Sequence, residues 1–230
     1  MKKYILILGI AALLSGVMHL NGAGSSWKDE FYDRYTYETF AEYAPARQRI
    51  DMNAIDYPLL HAAIFYETGR QRVLNGLQPF KHSPALERAA KGHSDDMVRL
   101  NFFSHHSPAF GKGSLAQRLA LVGISNASSA ENISYNFGIE YESGRGVFSP
   151  DQNGGYFSYD YRGKPIESHS YLGLARAALQ GWMNSPGHRK NILNPTYLYL
   201  GAGAAHYKNL AFYNMDNFKL TQNFSSVRGN

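Results

Sequence analysis

Three places in the chain hold side chains able to carry a proton or a cation. They are the adjacent His105 and His106 in NFFSHHSPAFGKG, Glu131 at the start of AENISYNF, and His188 in NSPGHRKNIL. Two imidazoles and a carboxylate folded together can do three things. They can hold a divalent cation such as zinc, with water completing its shell. They can form a proton-transfer pair in which the acid orients one ring. They can also be a satisfied polar network that ties three segments together. Ser104 and Ser107 flank the histidine pair, and their types suit closing a loop rather than attacking a substrate. His93 shares a helical face with Leu86, Ala90 and Met97, which reads as a hydrogen-bonded core histidine. Asp95 and Asp96 are adjacent and diverge on a helix, so they make no carboxylate pair. His61, His169 and His206 gain no partner from the pattern.

Other chemistries are excluded. The chain has no cysteine, which removes disulfides, thiolate zinc sites, a thiol nucleophile and a lipid-modified cysteine. There is no His-Glu-x-x-His and no Gly-x-Ser-x-Gly, and FGKGS lacks the upstream glycine of a phosphate-binding loop. GAGAAH is a fragment of a dinucleotide fingerprint placed too late in the chain. The formal charge is +5, without the run of like charges that would mark a nucleic-acid surface.

The elements that must position these groups follow from apolar spacing. Residues 1–24 open with two lysines, an apolar run and small residues, the layout of an export signal cut between about Gly22 and Ser26; an uncleaved anchor is the alternative. Its loss would lower the charge to +3. Residues 25–52 are aromatic-rich, with Trp27, Phe31 and Tyr35 at steps of four, and read as a short helix or a clamp on the main domain. Helices are expected from Asp56 to Leu74, from a Ser83-Pro84 cap to about Leu100, in SLAQRLALVG between Ser114 and Gly123, and from Ser170 to Met183, where Ser-Pro-Gly ends the last. AENISYNF, YLYLGAGAA and LAFYNMDNF have strand character, the last two joined around Lys208 and Asn209. Residues 138–169 are long for a connection and read as a hairpin excursion or a lid. Seventeen tyrosines could line an amphiphile or glycan groove, although rings serve packing more often. Sequons at Asn126, Asn132 and Asn223 matter only to a eukaryotic protein.

LERAAKGHSDDMVRLNFFSHHSP, AENIS, WMNSPGHRKNIL, YLGAG and TQNF occur in that order, and together they resemble the successive motifs of the CAP superfamily, the SCP-like extracellular proteins, in its cysteine-free bacterial branch. The resemblance spans about residues 56–224. It implies an α/β fold, a three-layer α-β-α sandwich with a large cleft, carried here by residues 53–226. It further implies that His105, with His106 the alternative, converges there with Glu131 and His188; Arg189 and Asn191, just beyond His188, are expected to tie down the following loop. Ser185 stands where many members have a second glutamate. The first-helix motif keeps only its arginine, Arg72, with Gly69 in place of asparagine.

The expected protein is therefore exported to the periplasm, envelope or exterior and monomeric, with no nucleic-acid partner and no membrane span in the mature chain. Its cleft would bind a divalent metal through His105, His188 and Glu131, or a small extracellular ligand. A lipid ligand is what the resemblance to eukaryotic members implies. Two other readings stand beside it. One is a hydrolase of peptide or envelope substrates using water activated by His105, Glu131 and His188. The other is a surface adhesin that grips an envelope or host partner through its aromatic segment or insertion.

Overall fold

Capping chemistry sets the helix boundaries. The Asp56 carboxylate accepts the Leu59 N–H, and Pro58 sits in the first turn of α2 (Tyr57–Leu74), which Asn75 and a left-handed Gly76 close. Ser83 caps α3 (Pro84–Arg99) through the Leu86 N–H, and Ser170 caps α5 (Tyr171–Asn184) through the Gly173 N–H. Ser114 and Gln117 form a reciprocal capping box on α4 (Leu115–Ala120). The computed structural model describes residues 25–229, so the export-signal reading of residues 1–24 lies outside the described residues.

Four strands form one open sheet in the order β1-β3-β4-β2. β1 (Lys81–His82) runs parallel to β3 (Tyr199–Asn209), while β4 (Met215–Ser225) is antiparallel to both β3 and β2 (Ser129–Phe137). Helices α2 and α5 cover one face and α3 covers the other, giving the three-layer α-β-α sandwich. Strand alternation divides the two faces sharply. Leu200, Ala202, Ala204, Phe218, Leu220 and Phe224 join Trp182 and the apolar side of α2 in the main core. Their alternates toward α3 are Gly201, Gly203, Thr221 and Asn223. A Cβ on Gly201 would lie 2.0 Å from the Glu87 amide nitrogen, and one on Gly203 2.2 Å from that of Lys91. The glycines of GAGAAH therefore let the α3 backbone lie directly on β3.

Three outcomes depart from the sequence pattern. Ser-Pro-Gly does not simply end α5, because Pro186 opens a further helix, α6 (Pro186–Ile192); proline favours a first helical turn as readily as it stops a preceding one. The expected strand LAFYNMDNF is divided. Leu210–Asn214 form the turn, with Tyr213 and Asn214 both at positive φ, and β4 then continues unbroken through LTQNF. The 138–169 segment is a hairpin excursion marked by isolated pairings Ile139 with Ser168 and Phe148 with Ser158. The N-terminal aromatics make a clamp. Trp27, 3% exposed, packs against Phe31 and Tyr35 around the short helix α1 (Phe31–Arg34), against Phe40 and Tyr43 beyond it, and against Tyr66 of α2.

Gly201→Ala is expected to lose at least about 3 kcal/mol of stability by urea denaturation, because the clash is with backbone that cannot rotate away. Gly181→Ala, on α5 with open space around its Cα, is expected to gain about 0.5–1 kcal/mol by the same measurement.

Candidate functional site

Glu131 opens the buried part of β2 and points toward α3, with its side chain 3% exposed. One oxygen, Oε2, accepts from Arg118 Nη2 at 2.8 Å; this side chain is itself 2% exposed. The other, Oε1, accepts from His105 Nδ1 at 2.9 Å. A carboxylate only accepts, so Nδ1 of His105 carries a proton, and in the neutral ring Nε2 presents a lone pair. Among the described residues nothing hydrogen-bonds that Nε2, and the His105 side chain is 56% exposed. Arg118 also donates to the carbonyls of His105 and Lys112, at 3.2 and 3.0 Å, so one guanidinium holds both the acid and the loop carrying the histidine. With its amide oriented to satisfy both ends, Asn223 donates to Glu131 Oε2 at 3.2 Å and accepts the Ala90 N–H.

His93 lies beneath, fully buried. Its Nε2 donates to the Ser104 carbonyl at 3.0 Å and stands 3.7 Å from Glu131 Oε1, beyond hydrogen-bonding range, while Nδ1 is buried without a partner. Burial above all, helped by the Arg118 and His105 charges, holds its pKa below the ordinary value against the opposing pull of Glu131. Ser104 and Ser107 close the loop: their hydroxyls accept the N–H groups of His106 and Ala109. His106 makes no bond to Glu131, so of the two adjacent imidazoles the structure places His105 on the acid.

His188 comes from the opposite side of β2, in the first turn of α6. Asn132 faces away from Glu131 and its Nδ2 donates to the His188 carbonyl at 3.2 Å and to Gln222 Oε1 at 3.1 Å, while its Oδ1 accepts from Asn191 at 2.9 Å. Asn191 is thus the tie to β2, whereas Arg189 reaches Asn75 just beyond the end of α2. Arg72 secures the far end of α6, donating to the carbonyls of Ile192 and Asn194. Burial lowers the His188 pKa, and the nearby His105 charge lowers it further. The two rings therefore share one electrostatic neighbourhood, but Glu131 is spent on His105 and Arg118. Among the described residues no three His, Asp or Glu side chains are grouped to hold a metal ion.

The sequence pattern missed Arg118. Its signal was present: Leu115, Arg118, Leu119 and Val122 share one helical stripe, and an arginine on an apolar stripe demands a buried anion. His61 and His206 also found partners, whereas Nδ1 of His169 is buried without one among the described residues. His206 Nε2 donates to Asp216 at 2.7 Å. His61 Nε2 accepts the Ala204 N–H, so its Nδ1–H is the donor to Glu87. Burial would raise the Glu87 pKa, yet hydrogen bonds from His61 and His82 outweigh it and bring the value down to about 2.

Residues 125–224, a little under half of the chain, match the family model of CAP, the cysteine-rich secretory protein family, so this part of the chain carries a CAP domain. It is 29% identical over 136 residues to the uncharacterized protein YkwD of Bacillus subtilis strain 168, covering 59% of this chain and 38% of that one. It is 33% identical over 132 residues to the uncharacterized membrane protein YlbC of the same organism, covering 57% and 28%. The matched region thus spans well under half the length of these curated relatives. Among solved structures, an extracellular protein containing a SCP domain from Bacillus anthracis str. Ames aligns at 29% identity with a TM-score of 0.49, over 74% of this chain and 41% of that chain. No helix among the described residues is long and apolar enough to cross a membrane.

Arg118→Met strands a buried carboxylate and is expected to cost about 3–5 kcal/mol in urea denaturation, with the Arg118→Met/Glu131→Gln pair costing less than the single change. Acidification tests the imidazoles. In the folded protein His93 and His188 titrate below about 6.5, so the unfolded chain takes up protons first as pH falls. Their contribution to stability is complete above about 6.5 and is lost below it, and the urea midpoint is expected to drop between pH 7.5 and 5.5.

Proposed function

We propose that this protein is an exported CAP-domain protein whose His105 and His188 together bind a divalent cation such as zinc. Glu131 acts from behind as the group that fixes the His105 tautomer. The observation that carries this reading is the 2.9 Å bond from His105 Nδ1 to Glu131, which leaves Nε2 of the neutral ring as an outward lone-pair donor, and His188 feels the His105 charge from the other side of β2. The donor set is two imidazoles, with water or a ligand's own oxygens completing the shell, because both Glu131 oxygens are engaged. A small extracellular ligand bearing a carboxylate could supply the remaining donors. Export accords with the two lysines, apolar run and small residues of the opening 24 residues.

A second reading rests on the same bond: an imidazole backed by a carboxylate is also a general base, able to draw a proton from water beside an envelope or peptide substrate. Thermal melts separate the two. Zinc at about tenfold its Kd is expected to raise the melting temperature by roughly 3–6 °C in the native protein. It is expected to leave His105→Ala and His188→Ala unmoved. No shift in the native protein removes the metal, and turnover of a peptide or cell-wall panel that vanishes in His105→Ala establishes the hydrolase instead.

A further inference from the structure

A groove of about 760 Å³ lies away from His105, Glu131 and His188, between the N-terminal aromatic segment and the β1 edge of the sheet. Its size is that of a ligand site, and Pro79, Phe80, Lys81 and His82 form one border. β1 pairs on one side only. The Lys81 and Ser83 N–H groups donate to the carbonyls of Leu198 and Leu200, so by strand alternation the main-chain groups of Phe80 and His82 turn the other way. Among the described residues neither the N–H nor the C=O of Phe80 or His82 has a hydrogen-bond partner. The His82 ring is nine-tenths buried and lines the groove. It stacks on Tyr32 at 3.5 Å and donates through Nε2 to Glu87, yet Nδ1 is unpartnered among the described residues.

The opposite border comes from α1 and the residues just before it. Asp29, Glu30 and Asp33 line the groove, are exposed, and form no salt bridge among the described residues, on a chain whose overall charge is +5. Tyr32, Phe65 and Tyr66 supply aromatic walls. An open strand edge beside aromatic walls suits an extended backbone, and three uncompensated carboxylates select basic side chains on it. We propose that this groove binds an extended basic peptide by adding it as a short strand outside β1, paired to the main chain of Phe80 and His82. Lys81 and Arg228 also border the groove and would meet the carboxyl end of such a peptide.

The probe is a fluorescein-labelled octapeptide alternating valine and lysine with a free carboxyl end, titrated by anisotropy at low and moderate salt. Saturable binding is expected, weakened by salt, with the valine–glutamate counterpart at least tenfold weaker. Replacing Asp29, Glu30 and Asp33 together by lysine should weaken binding tenfold or more, a change confined to exposed positions. N-methylation of alternate valine amides, which keeps every charge but blocks strand pairing, should do the same, and amide exchange at Phe80 and His82 should slow when the unmodified probe is bound. His105→Ala should bind the probe as the native protein does, which keeps this result separate from the metal reading. Absence of saturable binding, equal binding of the glutamate peptide, or equal binding of the N-methylated peptide would each overturn the proposal.

Discussion

A carboxylate taken out of water must be answered by charge or by several donors, and Glu131 is answered by both. The Arg118 guanidinium neutralises it, His105 donates to its second oxygen, and Asn223 reaches it from the neighbouring strand. Because Arg118 also grips the carbonyls of His105 and Lys112, the ion pair fixes α4, β2 and the loop from Asn101 to Gly113 with respect to one another. The cluster is electrically near neutral while His93 and His105 are uncharged. His105 therefore owes its position to a pair formed for reasons of burial, and its exposed Nε2 is the part of that arrangement left over for chemistry.

That pair sits on the α3 face of the sheet, and the glycines explain why the face can be polar. With no side chains at Gly201 and Gly203, α3 rests on β3 backbone to backbone, and the polar side chains of β2 and β4 fill the flank beside it. Ser94 meets Thr221, and Lys219 donates to the Met97 and Phe102 carbonyls, so this flank is satisfied almost group by group. On the other face a chain of amides does comparable service: Thr68 accepts from Gln222, Gln222 from Asn132, and Asn132 from Asn191. It carries the position of α2 across that face of the sheet to α6. β2 is an edge strand, so His105 reaches its rim from one face and His188 from the other.

Local signals were the legible ones. Asp56, Ser83, Ser114 and Ser170 are short side chains that satisfy the first free N–H groups of a helix, and each marked its helix start to within a residue. The aromatic clamp was legible as well, because three rings at steps of four can be buried only against another surface. What stayed hidden depended on distant partners or on chemistry that reads two ways. Pro186 both stops α5 and starts α6, and Leu210, Phe212 and Tyr213 look like strand until two left-handed residues turn the chain. His105, Glu131 and His188 were nameable because the motifs lie in order, but their division of labour was not. Nothing local to AENIS says that Arg118 will occupy the oxygen a metal would need.

The two edges of the sheet meet the same physical requirement in different ways. An open edge exposes main-chain groups that must find water, a cover or a partner. β2 is flanked by α6 and by the 138–169 excursion, whose Ile139 and Phe157 lie with Phe212 from the β3–β4 turn around an apolar hollow. β1 is cut to two residues between Pro79 and Ser83-Pro84, the brevity and proline content that limit indiscriminate pairing. Beside it the chain places a carboxylate, Glu87, held by two histidines and by the Tyr32 hydroxyl of the N-terminal segment. That segment is also fastened through Asp56, which accepts hydrogen bonds from Ser25 and Ser26 while capping α2. A wall secured at two separate points can hold a groove open beside a free strand edge, whereas an unsecured one would collapse onto it. The rigidity of this clamp is thus what distinguishes a site at β1 from a merely uncovered edge.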